Sequence, residues 1–172
     1  MEPLAALQDA FAATGPAPGM AERLALFGQF VGSWDLDVTD FDDDGTETVT
    51  PGEWHFGWTL GGRAVADVWI CPRRAADRTS PGEHGLTVRF YDDALGAWRS
   101  TWIGPGRQVV RQFVARAEVD GIVLSGAFDD GQLRWAFSDI TPTAFRWRNE
   151  VSHDGGRTWR VQQRFVARRA AG

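Results

Sequence analysis

Lysine is absent from this chain of 172 residues: all 18 basic side chains are arginine. That excludes any reaction routed through a lysine Schiff base. Cysteine is reduced to Cys71 alone, which excludes an internal disulfide framework and fits a reducing cytoplasm, the expected location. No uninterrupted apolar run approaches the ~18 residues of a membrane span, so no membrane partner is expected. Met1-Glu2-Pro3 carries no positive charge, and Gln8 and Asp9 break the apolar stretch that follows, which argues against a secretory signal. The net charge is −5 and the arginines are scattered, so no nucleic-acid footprint is visible. Gly-x-Ser-x-Gly, His-Glu-x-x-His, a glycine-rich phosphate loop and paired cysteine ligands are all missing. No metal and no cofactor are expected. Cys71 has no spaced histidine partner and reads as a small packing residue.

What the chain does have is nine Trp and eleven Phe against a single Tyr. Such rings line both cores and ligand pockets. They fall in a regular pattern. Residues 2–14 form a weak amphipathic helix with Leu4, Leu7 and Phe11 on one side, closed by Gly15-Pro16-Ala17-Pro18-Gly19. Residues 21–31 place Leu24, Phe27 and Val31 on one side of a second short helix. Gly32-Ser33-Trp34 then breaks the helical period, and Trp34, Leu36 and Val38 alternate with Asp35, Asp37 and Thr39 as in a half-buried strand. Nine further strands follow, at about 52–60, 63–71, 86–91, 97–103, 107–119, 122–128, 132–140, 143–151 and 158–168, separated by Asp- and Gly-rich turns and one longer loop, 72–85. The length suits one domain. The expected fold is all-β, a single up-and-down antiparallel β-barrel of about ten strands with two short N-terminal helices, closed so that no sheet edge is left free. Residues 1–19 would be a cap or a homodimer contact, and 20–172 the barrel.

Alternation assigns the aromatic sides of the strands inward and the arginine sides, Arg89, Arg99, Arg146 and Arg148 among them, to water. On this reading Leu86, Val88 and Phe90 point in, as do Trp159 and Phe165. For strand 63–71 the set with Asp67 and Trp69 is preferred inside. The polar residues left on the inner face are Asp67, Ser100, Arg111, Asp139, Asn149 and Gln163. A buried charge needs a partner or water, so Asp67 is expected to pair with Arg111.

A short helix, Gly32-x-Trp34 and an alternating strand resemble the calycin opening. Trp54-x-Phe56-x-Trp58-x-Leu60-Gly61-Gly62-Arg63, Arg89-Phe90-Tyr91-Asp92, Ala97-Trp98-Arg99-Ser100-Thr101-Trp102 and Phe145-Arg146-Trp147-Arg148 extend the likeness, over about residues 21–168, to a bacterial family of lipocalin-like barrels that has no settled activity. The resemblance implies a fatty-acid-binding-protein-like barrel. It also implies that a late-strand arginine, Arg160 or Arg164, packs over Trp34. Nitrobindin-like haem barrels are similar too, but Leu36 stands where they have a second glycine, and His55, His84 and His153 fall on an outer face, a loop and a turn. Haem therefore ranks last.

Two motifs are read as turns. Asp40-x-Asp42-x-Asp44-Gly45 copies half of an EF-hand loop, but Pro51 stands where the bidentate Glu belongs. Ser152-x-Asp154-x-Gly156-x-Thr158-Trp159 closely resembles the Asp-box of sialidase-type propellers, a hairpin device without catalytic role. The function expected is binding of a small, largely apolar or aromatic molecule inside the barrel. Trp58, Trp69, Trp102, Trp135 and Trp147 would stack on it, and Arg111, Asn149 and Gln163 would orient it. The alternative is a cofactor-independent isomerase or cyclase of polyketide or terpenoid type, with Asp67 or Asp139 moving a proton in the same cavity.

Overall fold

The structure, a computed structural model, describes residues 3–74, 82–129 and 131–171. The predicted helix start at residue 2, the centre of the 72–85 loop and Asp130 of the turn after residue 128 lie outside the described residues. Helices α1 (Pro3–Phe11) and α2 (Ala21–Gly28) flank a two-residue strand β1 (Ala12–Ala13). Ten strands follow: β2 (Gly32–Phe41), β3 (Glu47–Thr59), β4 (Ala64–Cys71), β5 (Glu83–Asp92), β6 (Ala97–Gly104), β7 (Val109–Glu118), β8 (Gly121–Phe128), β9 (Gly131–Ser138), β10 (Ala144–Ser152) and β11 (Arg160–Arg169). Each pairs antiparallel with the next in sequence, β11 returns to β2, and β3 with β4 completes the ring. This is the expected ten-stranded barrel, with β1 added to β3. No described helix is long and apolar enough to cross a membrane.

Strand β3 begins five residues earlier than the sequence suggests, with Pro51 inside it opposite Asp37. Proline is tolerated there because the pairing of β3 with β4 begins only at Glu53–Ile70, so no strand asks for its missing N–H on that side.

Helix α2 plugs one end of the barrel. Leu24, Phe27 and Phe30 are fully buried. Phe30, rather than the predicted Val31, continues the apolar stripe because the helix tightens at its end, Phe30 N–H donating to Phe27 O at 3.1 Å. Phe30 then sits 5.0 Å from the Phe137 ring and 4.9 Å from Phe145, and Phe27 meets Trp98 edge-on at 4.9 Å. Trp34 is buried beside them and donates its Nε1–H to Phe30 O at 2.7 Å.

The arginine over Trp34 is Arg169, not Arg160 or Arg164. Its guanidinium carbon lies 4.1 Å from the ring centroid. It donates to Val31 O (3.0 Å), Gln29 O (3.1 Å) and Pro142 O (2.7 Å). Arg160 and Arg164 keep their outward places, paired with Asp43 and Glu47. Register explains the difference: Phe165, Ala167 and Arg169 share the inner face of β11, and Arg169 pairs with Trp34 across β2. Gly32, at φ 127°, leaves room for the clasp, since a Cβ there would lie 2.7 Å from Arg169 Nη1.

The N-terminal segment is held along the outside of the plugged end. Thr59 Oγ1–H donates to Phe11 O at 2.5 Å, and Ala17 N–H to Gly62 O at 2.8 Å. Gly62 (φ 75°) admits this approach, since a Cβ on it would be 2.3 Å from Gly15 O. Helix α1 itself buries no residue.

Arg169→Ala removes three charge-assisted hydrogen bonds and one cation–π contact, and is expected to destabilise the fold by about 2–4 kcal/mol. Differential scanning calorimetry should show a thermal midpoint lowered by roughly 5–12 °C, with Arg169→Lys intermediate.

Candidate functional site

The inner faces agree with alternation on most strands. Trp54 and Phe56, Val65 and Trp69, Trp98 and Ser100, Phe113, Ile122 and Leu124, Leu133 and Phe137, Phe145 and Trp147, and Phe165 are all buried. Strand β5 is the exception. Phe90 is 44 % exposed, whereas Glu83, Thr87 and Arg89 are buried. Cross-strand partners share a face, and Thr87 is opposite both Asp67 and the inward Trp102, with Arg89 opposite Ser100. The neighbouring strands therefore decide what β5's own hydrophobicity would have reversed. Gly85 yields its place to the Trp102 ring, since a Cβ there would fall 1.7 Å from Trp102 Cη2.

This inversion corrects the expected ion pair. Asp67 is bound to Arg89, not to Arg111, and both are 1 % exposed. Asp67 Oδ1 also accepts Trp54 Nε1–H at 2.5 Å and Thr87 Oγ1–H at 3.0 Å. The Arg89 guanidinium lies over the Phe27 ring at 4.7 Å and the Phe56 ring at 5.6 Å. Burial pushes the Asp67 carboxyl up, and Arg89, Trp54 and Thr87 oppose that shift. Arg111 stands instead beside Phe128, its guanidinium carbon 5.5 Å from the ring centroid.

Beyond this pair, on the side away from α2, lies a partly open cavity of about 60 Å³. Trp54, Trp69, Trp102, Trp135, Trp147 and Phe165 wall it, with Thr87, Arg107, Asn149 and Gln163 as its polar lining. The rings meet edge to face, Trp69–Trp102 at 6.1 Å, Trp102–Trp135 at 6.0 Å and Trp135–Trp147 at 5.3 Å, and Trp147 stacks on Phe165 at 4.6 Å. The indole N–H groups of Trp69, Trp135 and Trp147, and Asn149 Oδ1, are buried without a partner among the described groups.

Of the ten residues expected at the site, Trp69, Trp102, Trp135, Trp147, Asn149 and Gln163 line this cavity. Trp58 does not. It lies at the plugged end, where a Cβ on Gly28 would come within 2.5 Å of its ring. Asp67 is the cavity's support rather than its wall. Asp139 is corrected outright: it sits on the surface, its side chain 71 % exposed and 3.1 Å from Arg146. It follows the inner-facing Phe137 by two, but φ turns positive (51°) at Asp139 itself, so the strand has ended before alternation could bring it in. Alternation missed Arg89 and Thr87 because it scored β5 alone; Arg107 fell at the start of the strand expected over 107–119 and was not singled out, whereas β7 begins only at Val109 and Arg107 lies in the turn before it. Glu83 is buried, and its carboxylate accepts the N–H groups of Gly106 and Arg107, both at 2.9 Å, which fixes that turn at the cavity edge.

Other rim loops are tied by carboxylates as well. Asp154 Oδ1 accepts the N–H groups of Arg157 and Thr158 at 2.9 Å each, and its Oδ2 takes Thr158 Oγ1–H at 2.7 Å. These bonds hold its carboxyl down at about 2. Trp159 packs against this turn from outside, under the Arg134 guanidinium at 4.1 Å, rather than facing in. At the end of β4, Glu53 accepts from Arg74 Nε at 2.7 Å and Arg74 N at 3.1 Å, and Arg74 lowers its carboxyl to about 2. Burial pushes the Cys71 thiol up to about 11.

A helix-plugged antiparallel barrel with an aromatic cavity at its other end is a calycin-type architecture. The chain is similar in fold to the S-type phycobiliprotein lyase from Guillardia theta, with a TM-score of 0.57 and 12 % identity over 86 % of this chain and 92 % of that chain. No protein-family model matches this chain, and no curated protein does. At that identity the likeness speaks for the fold alone.

Two outcomes are expected. Asp67→Asn and Arg89→Met should each lower stability by about 3–5 kcal/mol in urea unfolding, because each leaves the other partner buried alone. The double variant should lose clearly less than their sum. Lowered Glu53 and Asp154 values stabilise the fold above about pH 4.5, and that contribution disappears as the carboxyls protonate toward pH 2. The thermal midpoint should therefore fall across that window, and Glu53→Gln should flatten part of the fall.

Proposed function

We propose that this protein binds a small, largely apolar or aromatic molecule at the unplugged end of the barrel. The observation that carries the reading is the asymmetry of the interior. One half is filled by α2 and its ring cluster, and the other keeps a cavity walled by five tryptophans. The rings supply area and dispersion, while Asn149, Gln163, Thr87 and Arg107 set the pose. The space is small: ligand pockets typically run to about 300–1,000 Å³, against about 60 Å³ here. A guest therefore seats one end in the cavity and lays the rest against Trp102 at its edge. The likeness to a phycobiliprotein lyase supports the architecture on which this reading is built. The two acids expected for a proton-moving alternative, Asp67 and Asp139, are not among the described residues that line the cavity.

Titration with the neutral fluorophore N-phenyl-1-naphthylamine tests the reading. The expected result is saturable uptake that weakens about tenfold in Trp135→Ala and stays unchanged in Trp159→Phe, whose ring lies outside. Absence of uptake, or equal affinity in Trp135→Ala, would overturn it.

A further inference from the structure

The lining of the cavity is unbalanced in its hydrogen-bonding groups. Trp69, Trp135 and Trp147, three residues of the wall, each have a buried indole N–H with no acceptor among the described residues, and Asn149 Oδ1 is a buried acceptor of the wall with no donor among them. An indole N–H can only donate. A buried donor left without a partner costs about 1–3 kcal/mol, so three within one cavity call for acceptors there. Arg107 adds positive charge at the edge, and the Glu83 carboxylate fixes the turn that carries it.

Among the described residues, the carboxylates nearest these donors are directed elsewhere. Asp67 is bound to Arg89, Trp54 and Thr87. Asp40 accepts Gln163 Nε2–H at 2.7 Å. Glu83 is taken up by the amides of Gly106 and Arg107. Among the described residues, no carboxylate lines the cavity. Its volume holds roughly four to six waters, about the size of one compact head group.

Resting on the binding reading above, we infer that the guest is an aromatic or conjugated molecule bearing an oxyanion head group. Its oxygens are received by the Trp69, Trp135 and Trp147 N–H groups, and Arg107 faces it at the cavity edge. A carboxylate supplies acceptors that carry charge, which makes such hydrogen bonds stronger. The Asn149 oxygen takes one proton donor, from a ligand hydroxyl or a retained water.

Isothermal titration with three naphthyl probes at pH 7 tests the inference: 2-naphthoate, naphthalene, and 2-naphthylmethylamine as the cation. The naphthoate should bind at least tenfold more tightly than either of the others. Trp135→Phe and Trp147→Phe keep a ring and delete the donor. Each should weaken naphthoate about five- to tenfold while moving naphthalene less than twofold, in protein whose thermal midpoint shows it folded. Naphthalene or the amine binding as tightly as naphthoate overturns the oxyanion assignment and leaves small-molecule binding intact. Failure of naphthoate to bind overturns it too, and the neutral fluorophore then tells whether the wider reading falls with it.

Discussion

The Asp67–Arg89 pair divides the barrel into its two halves. On one side the guanidinium lies against Phe27 of the plug, and on the other the carboxylate holds Trp54 and Thr87, which form part of the cavity wall. A buried ion pair recovers its desolvation only when its remaining hydrogen-bonding capacity is met. Trp54 and Thr87 meet part of it at Asp67 Oδ1 while Oδ2 faces Arg89; Arg89 Nε has no hydrogen-bond partner among the described residues, and the faces of Phe27 and Phe56 lie against its guanidinium. The same pair fixes which side of β5 turns inward, and so sets Gly85 under the Trp102 ring at the cavity.

Either half makes sense only with the other. A barrel of ten strands encloses more space than its own side chains fill, so an end must be closed or left wet. Here α2 fills one end with Leu24, Phe27 and Phe30, and Arg169 fastens that plug to Trp34 and to the turn at Pro142. Stability is concentrated there, in close aromatic packing. That leaves the opposite end free to keep tryptophans whose N–H groups find no acceptor among the described residues. Described loops of its rim are tied by side chains to backbone, as at Glu83 and Asp154.

The outer face of β5 carries Leu86 and Phe90, the consequence of turning Arg89 inward, with Leu86 opposite Ile103 of β6. Two strongly polar groups at inner positions of β4 and β5 displaced the apolar side of β5 outward. What reads along one strand as a hydrophobic error is the counterpart of a polar network inside.

The number of strands, their antiparallel order, the two helices and the Asp154 turn were legible in the chain itself, because each is set by short-range chemistry: Asp-Gly turns, alternation, and the break at Gly32-Ser33. Most of the cavity wall was legible for the same reason, since Trp69, Trp102, Trp135 and Trp147 alternate cleanly along their strands. The partner of Asp67, the arginine over Trp34, the place of Asp139 and the size of the cavity were decided only in three dimensions. Each depends on register between strands or on how far α2 enters the barrel. A strand's own sequence cannot carry that, because its neighbours, not its hydrophobicity, determine which side it turns to the interior.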